Sequence, residues 1–211
     1  MPPIPSLIPL FPLPDVVLFP RSSLPLHIFE PRYRKMVADA LDGHKTIGMI
    51  LLRPGWESDY YGRPPVFGSG CAGRIERCEA LADGKYNLVL KGLSRFRVVE
   101  EHAGEPYRLA TVEPRPEGES GDAGLDGARR RVLAAIGKAA DGPVTMVLNA
   151  DLPHGVFVDA LSQTLPLAPL ERQSLLDCDT VASRYARLLE ILDFRLIEQT
   201  YGLGRGKPVV H

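Results

Sequence analysis

The chain of 211 residues carries 25 basic and 26 acidic side chains, for a formal net charge of −1, and this balance gives no support to a polycationic nucleic-acid binder. Hydrophobic residues make up 45% and charged residues 24%, as in ordinary soluble proteins, and no apolar run approaches the length of a membrane span or signal peptide. Three cysteines are an odd and sparse set, so we expect reduced thiols and a cytoplasmic location.

Prolines divide the start of the chain into short apolar segments. Because proline removes a backbone donor, we predict only short strands, at sheet edges or crossings. These strands are Leu7–Leu10, Val16–Phe19 and Leu24–Phe29. A helix is predicted from Pro31, since proline is tolerated in the first helical turn. Its apolar face, at helical spacing, consists of Tyr33, Met36, Val37, Ala40 and Leu41.

The next part of the chain is predicted to be mostly strand. The expected strands are Lys45–Leu52, Val66–Leu81 with breaks at its glycines, Lys85–Glu100 and Tyr107–Val112. The pair Asp83-Gly84 is a hairpin turn signal between two of them. Gly92 lies on the inward register of its strand and predicts a kink or bulge, while Arg95 and Arg97 lie on the outward register.

The composition changes at residues 114–124, PRPEGESGDAG, which we predict to be an exposed linker. Beyond it the apolar period becomes helical. The expected helices are Gly127–Ala140, Pro143–Asn149 (helix favoured over extended chain), Leu152–Leu165, Pro169–Leu176 and a last one capped by Asp179. Residues 205–211 are predicted to be a flexible tail.

Four stretches of the sequence are long and specific: PLFPLPDVVLFPRSSLPLHIFEPRYRKMV, GSGCAGRIERCEAL, DGKYNLVLKGLSRFRVVEE and YRLATVEP. In order and spacing they resemble the N-terminal, substrate-binding domain of Lon proteases, and the resemblance covers nearly the whole chain. It implies an α+β fold, with a PUA-like β pseudo-barrel and one helix in residues 1–113, then the linker and an α-helical bundle in residues 125–204. It also implies a module that recognises protein substrates and supports assembly.

Patterns of catalytic and cofactor chemistry are missing from the sequence. The only resemblance to a phosphate-binding loop, residues 202–207, has the wrong glycine spacing and is followed by Pro208, so no helix continues from it. No histidine pair has helical metal-ligand spacing, and Cys71 and Cys78 are too far apart in sequence for a zinc knuckle. We therefore predict no catalytic residue, no cofactor and no metal, and a protein that is not an enzyme.

Charged residues around the start of the first helix have two interpretations. Glu30 precedes this helix, and Arg32 and Arg34 follow within one turn. The favoured interpretation is structural: the carboxylate pairs with an arginine and fixes the helix against the barrel. The alternative is that Glu30 is a binding-site acid.

Arg95 and Arg97 are similarly expected on a solvated or salt-bridged face, with contact to a partner or phosphate as the alternative.

The loop Arg53–Pro65 is the better functional candidate. It contains the single tryptophan, and its large or basic side chains are Arg53, Trp56, Tyr60, Tyr61 and Arg63. Aromatic and arginine side chains on loops are typical of recognition surfaces. The alternative, equally weighted, is that Trp56 plugs the open end of the barrel.

The function that these inferences favour is a non-enzymatic protein-binding module that binds exposed apolar or unfolded segments. The expected place is either the cleft between barrel and bundle or the aromatic loop. Its partners would be protein substrates or a partner protein, with self-association as a further option and no membrane. One alternative is an RNA-binding PUA-like module, which the balanced charge disfavours. The other is a peptidase-associated hydrolase, for which the sequence offers no nucleophile–base pair.

Overall fold

The computed structural model describes residues 3–103, 106–118, 124–139 and 152–201. The strands are β1 Leu7–Leu13, β2 Ser23–Ile28, β3 Thr46–Leu52, β4 Val66–Ala80, β5 Tyr86–His102 and β6 Arg108–Pro114. The helices are α1 Pro31–Asp42, α2 Leu125–Ala139, α3 His154–Thr164, α4 Pro169–Leu176 and α5 Val181–Tyr201. Strands and one helix therefore come first and the remaining helices follow, which is the α+β organisation that the sequence predicts.

The chain divides into two units, and the division is not the contiguous one that the sequence suggests. The first unit, called the barrel unit, comprises residues 1–116 and 159–177, and the second, called the helical unit, comprises residues 117–158 and 178–211. The end of α3 and all of α4 thus group with the strands. The expected bundle of residues 125–204 is divided between the two units, and the expected tail lies outside the described residues.

In the barrel unit the six strands form one sheet in the order β2-β5-β4-β3-β1-β6, and an additional β5–β6 pairing closes it into a barrel. The pairing of β1 with β3 is parallel, and the other pairings are antiparallel. β3 is buried at all seven positions, as expected for an apolar strand in the middle of the sheet. One cluster of buried side chains fills the barrel, and a second joins the sheet to the apolar face of α1.

Two predictions for the proline-rich start of the chain are wrong. β1 runs through Pro9 and Pro12 without a break. Residues 7–10 pair with β6 and residues 10–13 pair with β3, so each proline lies where the strand is paired on one side only and a missing donor is tolerated. The predicted strand Val16–Phe19 is instead an irregular segment, in which Val17, Leu18 and Phe19 are buried.

β4 is continuous where the sequence predicts breaks, and β5 ends at His102, two residues beyond its predicted end. β4 continues through its three glycines over 15 residues, because bulges rather than breaks absorb their irregularity. The bulge predicted at Gly92 is present: a register shift occurs there, and a β-carbon at this position would overlap the carbonyl oxygen of Phe19. The Asp83-Gly84 turn is also confirmed, with Gly84 at φ 77°.

The prediction that both Arg95 and Arg97 of β5 point outward is wrong for Arg95. Arg97 is exposed and pairs with Glu113 at 2.6 Å, but Arg95 is only 3% exposed. Its guanidinium donates to the carbonyl oxygen of Leu176 at 3.2 Å, at the C-terminal end of α4, where helix carbonyls lack intrahelical partners. Arg95 therefore joins α4 to the barrel and is not available on a solvated face.

A polar cluster around Asp177 also fixes α4. Ser69 donates to one carboxylate oxygen of Asp177, and the Gln173 amide donates to the same oxygen at 3.1 Å. Arg115 donates to the backbone carbonyl oxygen of Asp177 at 2.5 Å. These bonds explain why residues 159–177 belong with the strands although they follow the linker in sequence.

The helical unit contains α2, the start of α3 and α5. Arg184 is fully buried and pairs with Glu117 at 2.9 Å, and Arg129 lies 3.9 Å from the centre of the Phe157 ring. Reciprocal bonds between Thr180 and Ser183 cap α5, one residue after the predicted cap Asp179. The predicted segment Pro143–Asn149 lies outside the described residues.

Candidate functional site

The loop between β3 and β4 contains little regular secondary structure. After Arg53 it forms one short 3-10 helix, Trp56–Asp59, entered through Gly55 in the left-handed conformation at φ 90°. No residue of that 3-10 helix is buried. Trp56 is only partly exposed and its ring meets that of Tyr60 edge-on, with centres 5.6 Å apart. The structure therefore gives no support to the alternative that Trp56 plugs the open end of the barrel.

Tyr60 and the start of α1 share a carboxylate. The Tyr60 hydroxyl donates to Glu30 at 2.8 Å, and the Arg32 Nε donates to the other oxygen of Glu30 at 3.0 Å. The Arg32 guanidinium also lies 4.6 Å from the centre of the Tyr33 ring and 5.3 Å from that of Tyr60. Glu30 thus pairs with Arg32 of α1 and holds the loop to the start of that helix.

Two groups in this cluster have shifted pKa values. Burial, above all, raises the pKa of Tyr33 to about 12. Burial and the hydrogen bond to Glu30 both raise the pKa of Tyr60. Both hydroxyls therefore stay protonated across the physiological range, so that Tyr60 remains a donor to the Glu30 carboxylate.

Beside this cluster lies a pocket of about 250 Å³, called here the arginine–tyrosine pocket. It is lined by Arg32, Tyr33, Tyr61, Gly62, Arg63, Pro106, Tyr107 and Arg108. Tyr61 is 88% exposed and its ring packs edge-on against Tyr60, with centres 5.2 Å apart. Arg63 is exposed and donates to the carbonyl oxygen of His102 at 3.2 Å.

The opposite wall of the pocket comes from the start of β6. Arg108 is buried, pairs with Glu101 at 3.0 Å and donates to the carbonyl oxygen of Pro64 at 2.5 Å. The Tyr107 hydroxyl donates to Asp39 of α1 at 2.7 Å. Together with the Lys35 ammonium, this bond lowers the pKa of Asp39. Side chains from three separated parts of the chain therefore surround one opening.

The structure brings together only some of the predicted site residues. Tyr61 and Arg63 line the pocket, and Tyr60 supports it from behind. Arg53 lies elsewhere, with its guanidinium 5.7 Å from the centre of the Phe67 ring. Arg34 contacts Glu30 through its backbone alone: its N–H donates to the carbonyl oxygen of Glu30 at 2.9 Å, while its guanidinium packs against Gly84 in the turn between β4 and β5.

Sequence reasoning missed Tyr107, Arg108 and the second role of Tyr33. Tyr33 is predicted on the apolar face of α1, where it is indeed buried, but its edge also reaches the pocket. The only sequence signal for the other two is an adjacent aromatic and arginine at the start of a strand. Nothing local to the sequence places that pair opposite the loop.

A second, shallower depression of about 600 Å³ lies on the sheet at β2, β5 and β4. Its lining residues are Pro25, Leu26, His27, Arg77, Cys78, Glu79, Asn87, Leu88 and Val89. Its apolar floor suits packing, but it contains none of the tryptophan and tyrosine side chains that, with arginine, dominate binding energy at protein interfaces. The arginine–tyrosine pocket combines tyrosine with arginine and is the better candidate.

The described residues give no sign of two other kinds of site. None of the helices among them combines the length and apolar character needed to cross a membrane. Within the same residues, no group of three or more His, Cys, Asp or Glu side chains is placed to hold a metal ion.

Comparison with solved structures supports the fold. A crystal structure of a Lon N-terminal domain protein from Xanthomonas campestris matches with a TM-score of 0.61 and 26% identity, covering 88% of this chain and 98% of that one. The N-terminal domain of a Mycobacterium avium complex Lon protease matches with a TM-score of 0.68 over 89% of this chain and 98% of that one. At 17% identity, the second match shows the fold alone.

Comparison with curated sequences gives the same result. "Lon protease 2" of Sorangium cellulosum is 28% identical over 199 residues, and the Lon protease of Dictyoglomus thermophilum is 29% identical over 203 residues. Each match covers 90% of this chain and 25% of the relative, so the chain spans about a quarter of the length of these relatives. The family model of the ATP-dependent protease La (LON) substrate-binding domain matches residues 7–193, and the chain belongs to that family.

Proposed function

We propose that this chain is a non-enzymatic recognition module that binds exposed or unfolded segments of other proteins, with the arginine–tyrosine pocket as its anchoring site. The observation that carries the proposal is Tyr61, which stands 88% exposed at the rim of a pocket built from tyrosine and arginine side chains. Such side chains supply most of the binding energy at protein interfaces, because they combine large contact area with fixed hydrogen-bonding groups.

The rigidity of the pocket supports this role. Tyr60, Arg32 and Arg108 are each held by a carboxylate or a backbone carbonyl of the barrel unit. A site whose walls are already ordered loses little conformational entropy when a segment binds. The exposed outer face of the Tyr61 ring can pack on an apolar side chain of the segment, where burial contributes about 25 cal/mol per Å² before association costs.

The family description agrees with binding rather than catalysis, since it names a substrate-binding domain of an ATP-dependent protease. We propose that the domain recognises protein substrates here as well. The protease activity of the full-length relatives is not assigned to this chain, which spans about a quarter of their length.

The test uses the whole chain and a reduced lysozyme whose cysteines are blocked with iodoacetamide, so that it remains unfolded. We expect measurable binding by fluorescence anisotropy, and we expect Tyr61→Ala to weaken it about tenfold or more, as for an interface anchor. Phe194→Ala is the matched control, because Phe194 is an aromatic residue that is 59% exposed in the helical unit. Equal binding by the unaltered chain and Tyr61→Ala, or loss of binding in the control alone, would contradict the proposal.

A further inference from the structure

Three guanidinium groups converge on the arginine–tyrosine pocket, and they differ in how they are neutralised. Arg32 pairs with Glu30 at 3.0 Å and Arg108 pairs with Glu101 at 3.0 Å. Arg63 instead bonds a neutral group, the carbonyl oxygen of His102. Arg63 lies at the rim, and among the described residues no carboxylate lies within ion-pair distance of its guanidinium.

The described residues that line the pocket carry charge of one sign. They include three arginines and no carboxylate, and the described carboxylates of Glu30 and Glu101 pair with Arg32 and Arg108. A guanidinium offers a planar fork of donors that matches the two oxygens of a carboxylate. Its two inner arginines already bind carboxylates of the chain itself, so the same geometry suits a third one from outside.

We propose that the pocket selects protein segments that carry an acidic side chain next to an apolar or aromatic residue. In this arrangement Arg63 pairs with the aspartate or glutamate carboxylate, and Tyr61 packs on the neighbouring side chain. The acid is a side chain and not a chain terminus, because an unfolded segment presents many acidic side chains and its chain has one C-terminal carboxylate. This inference rests on the proposed function and names the class of segment that the site takes.

Size and exposure agree with a single side chain as the occupant. The pocket volume of about 250 Å³ is smaller than the usual site of a drug-sized ligand, which is about 300–1,000 Å³. Arg63 is exposed, so water and salt screen its charge and its ion pair with the acidic side chain is weak. This pair therefore adds selectivity, while most of the contact area comes from Tyr61.

The test compares two peptides of about a dozen residues, a length chosen to cover one extended strand with flanks. Both are acetylated and amidated, so that neither has a terminal charge, and they differ only in a glutamate or a glutamine beside a phenylalanine. We expect the glutamate peptide to bind about threefold more tightly at low salt, equivalent to about 0.7 kcal/mol, and the preference to shrink as salt is raised.

Arg63→Met should abolish the preference for glutamate, so that the two peptides bind this variant with equal affinity. The matched control is Arg97→Met, since Arg97 is also an exposed arginine of the barrel unit and pairs with Glu113 away from the pocket. Equal affinity of the two peptides for the unaltered chain would overturn the inference, as would loss of the preference in the Arg97 variant. Displacement of the glutamate peptide by an RNA oligonucleotide at equal concentration would also overturn it.

Failure of this inference is distinguishable from failure of the proposed function. If both peptides bind equally and Tyr61→Ala weakens both, the selection of acidic residues is wrong and protein binding stands. If neither the peptides nor the unfolded lysozyme bind, the proposed function is wrong and the inference falls with it.

Discussion

Replacing Glu30 with alanine tests whether this carboxylate holds the aromatic loop to α1. The change removes the hydrogen bond from Tyr60 at 2.8 Å and the ion pair with Arg32 at 3.0 Å. The Glu30 side chain makes no capping hydrogen bond to α1, so the change leaves the helix start otherwise intact.

The expected loss follows from the two contacts. Hydrogen bonds to charged groups contribute about 1.5–3 kcal/mol each when buried, and less where water screens them, so we expect Glu30→Ala to lower the free energy of unfolding by about 2 kcal/mol. Tyr60→Phe removes only the hydroxyl and should cost about 1 kcal/mol. Because the two changes delete the same bond, the double variant should lose about 2 kcal/mol, which gives a coupling energy of about 1 kcal/mol.

Urea unfolding followed by tryptophan fluorescence measures these free energies of unfolding for the barrel unit. The chain has a single tryptophan, Trp56, which packs against Tyr60, so its emission reports on the barrel unit and the loop. Tyr61→Phe is the control, because a hydroxyl on a residue that is 88% exposed should change stability by less than about 0.5 kcal/mol. Additive losses in the Glu30 and Tyr60 variants, with a coupling energy near zero, would refute the reasoning.

Two further predictions concern the barrel unit. Burial raises the pKa of Tyr33 from 10.0 to about 12, so its contribution to stability is complete below pH 10 and is lost as the pH rises to 12. Tyr33→Phe should therefore reduce the alkaline loss of stability by about 2–3 kcal/mol. An identical decline in the variant would contradict this. Gly92→Ala should lower the free energy of unfolding in urea by about 1–3 kcal/mol, because the added β-carbon meets a backbone carbonyl. The β-carbon added by Gly68→Ala meets no atom within 4 Å, so this control should be nearly neutral. Equal effects of the two changes would contradict this account.

Local signals in the sequence predict the elements that depend on neighbours in the chain. Pro31 begins α1 as expected, the Asp83-Gly84 turn joins β4 to β5, and α4 has the predicted bounds Pro169–Leu176. The bulge at Gly92 is also predictable, since a glycine on the buried register of a strand usually marks a bulge or the close approach of another backbone segment.

Features set by distant residues are not predictable from local patterns. Arg95 is expected outside because its strand alternates, but α4, which begins 74 residues later, covers it and supplies the carbonyl oxygen of Leu176 as its acceptor. For the same reason the sequence identifies the loop residues Tyr61 and Arg63 but not the facing Tyr107, which reaches the pocket only because the barrel closes through β6.

The contacts around the pocket also determine which variants separate binding from folding. Arg32 lies against the rings of Tyr33 and Tyr60 and is bonded to Glu30, so it supports the loop and forms a wall of the pocket at once. Its removal would change stability and binding together, and a loss of binding could then arise from either effect. Tyr61 and Arg63 are exposed and contribute little to the barrel, so their substitution alters the proposed binding surface with the fold unchanged. For this reason, function at this site is tested at its rim, while its rigidity is tested at Glu30.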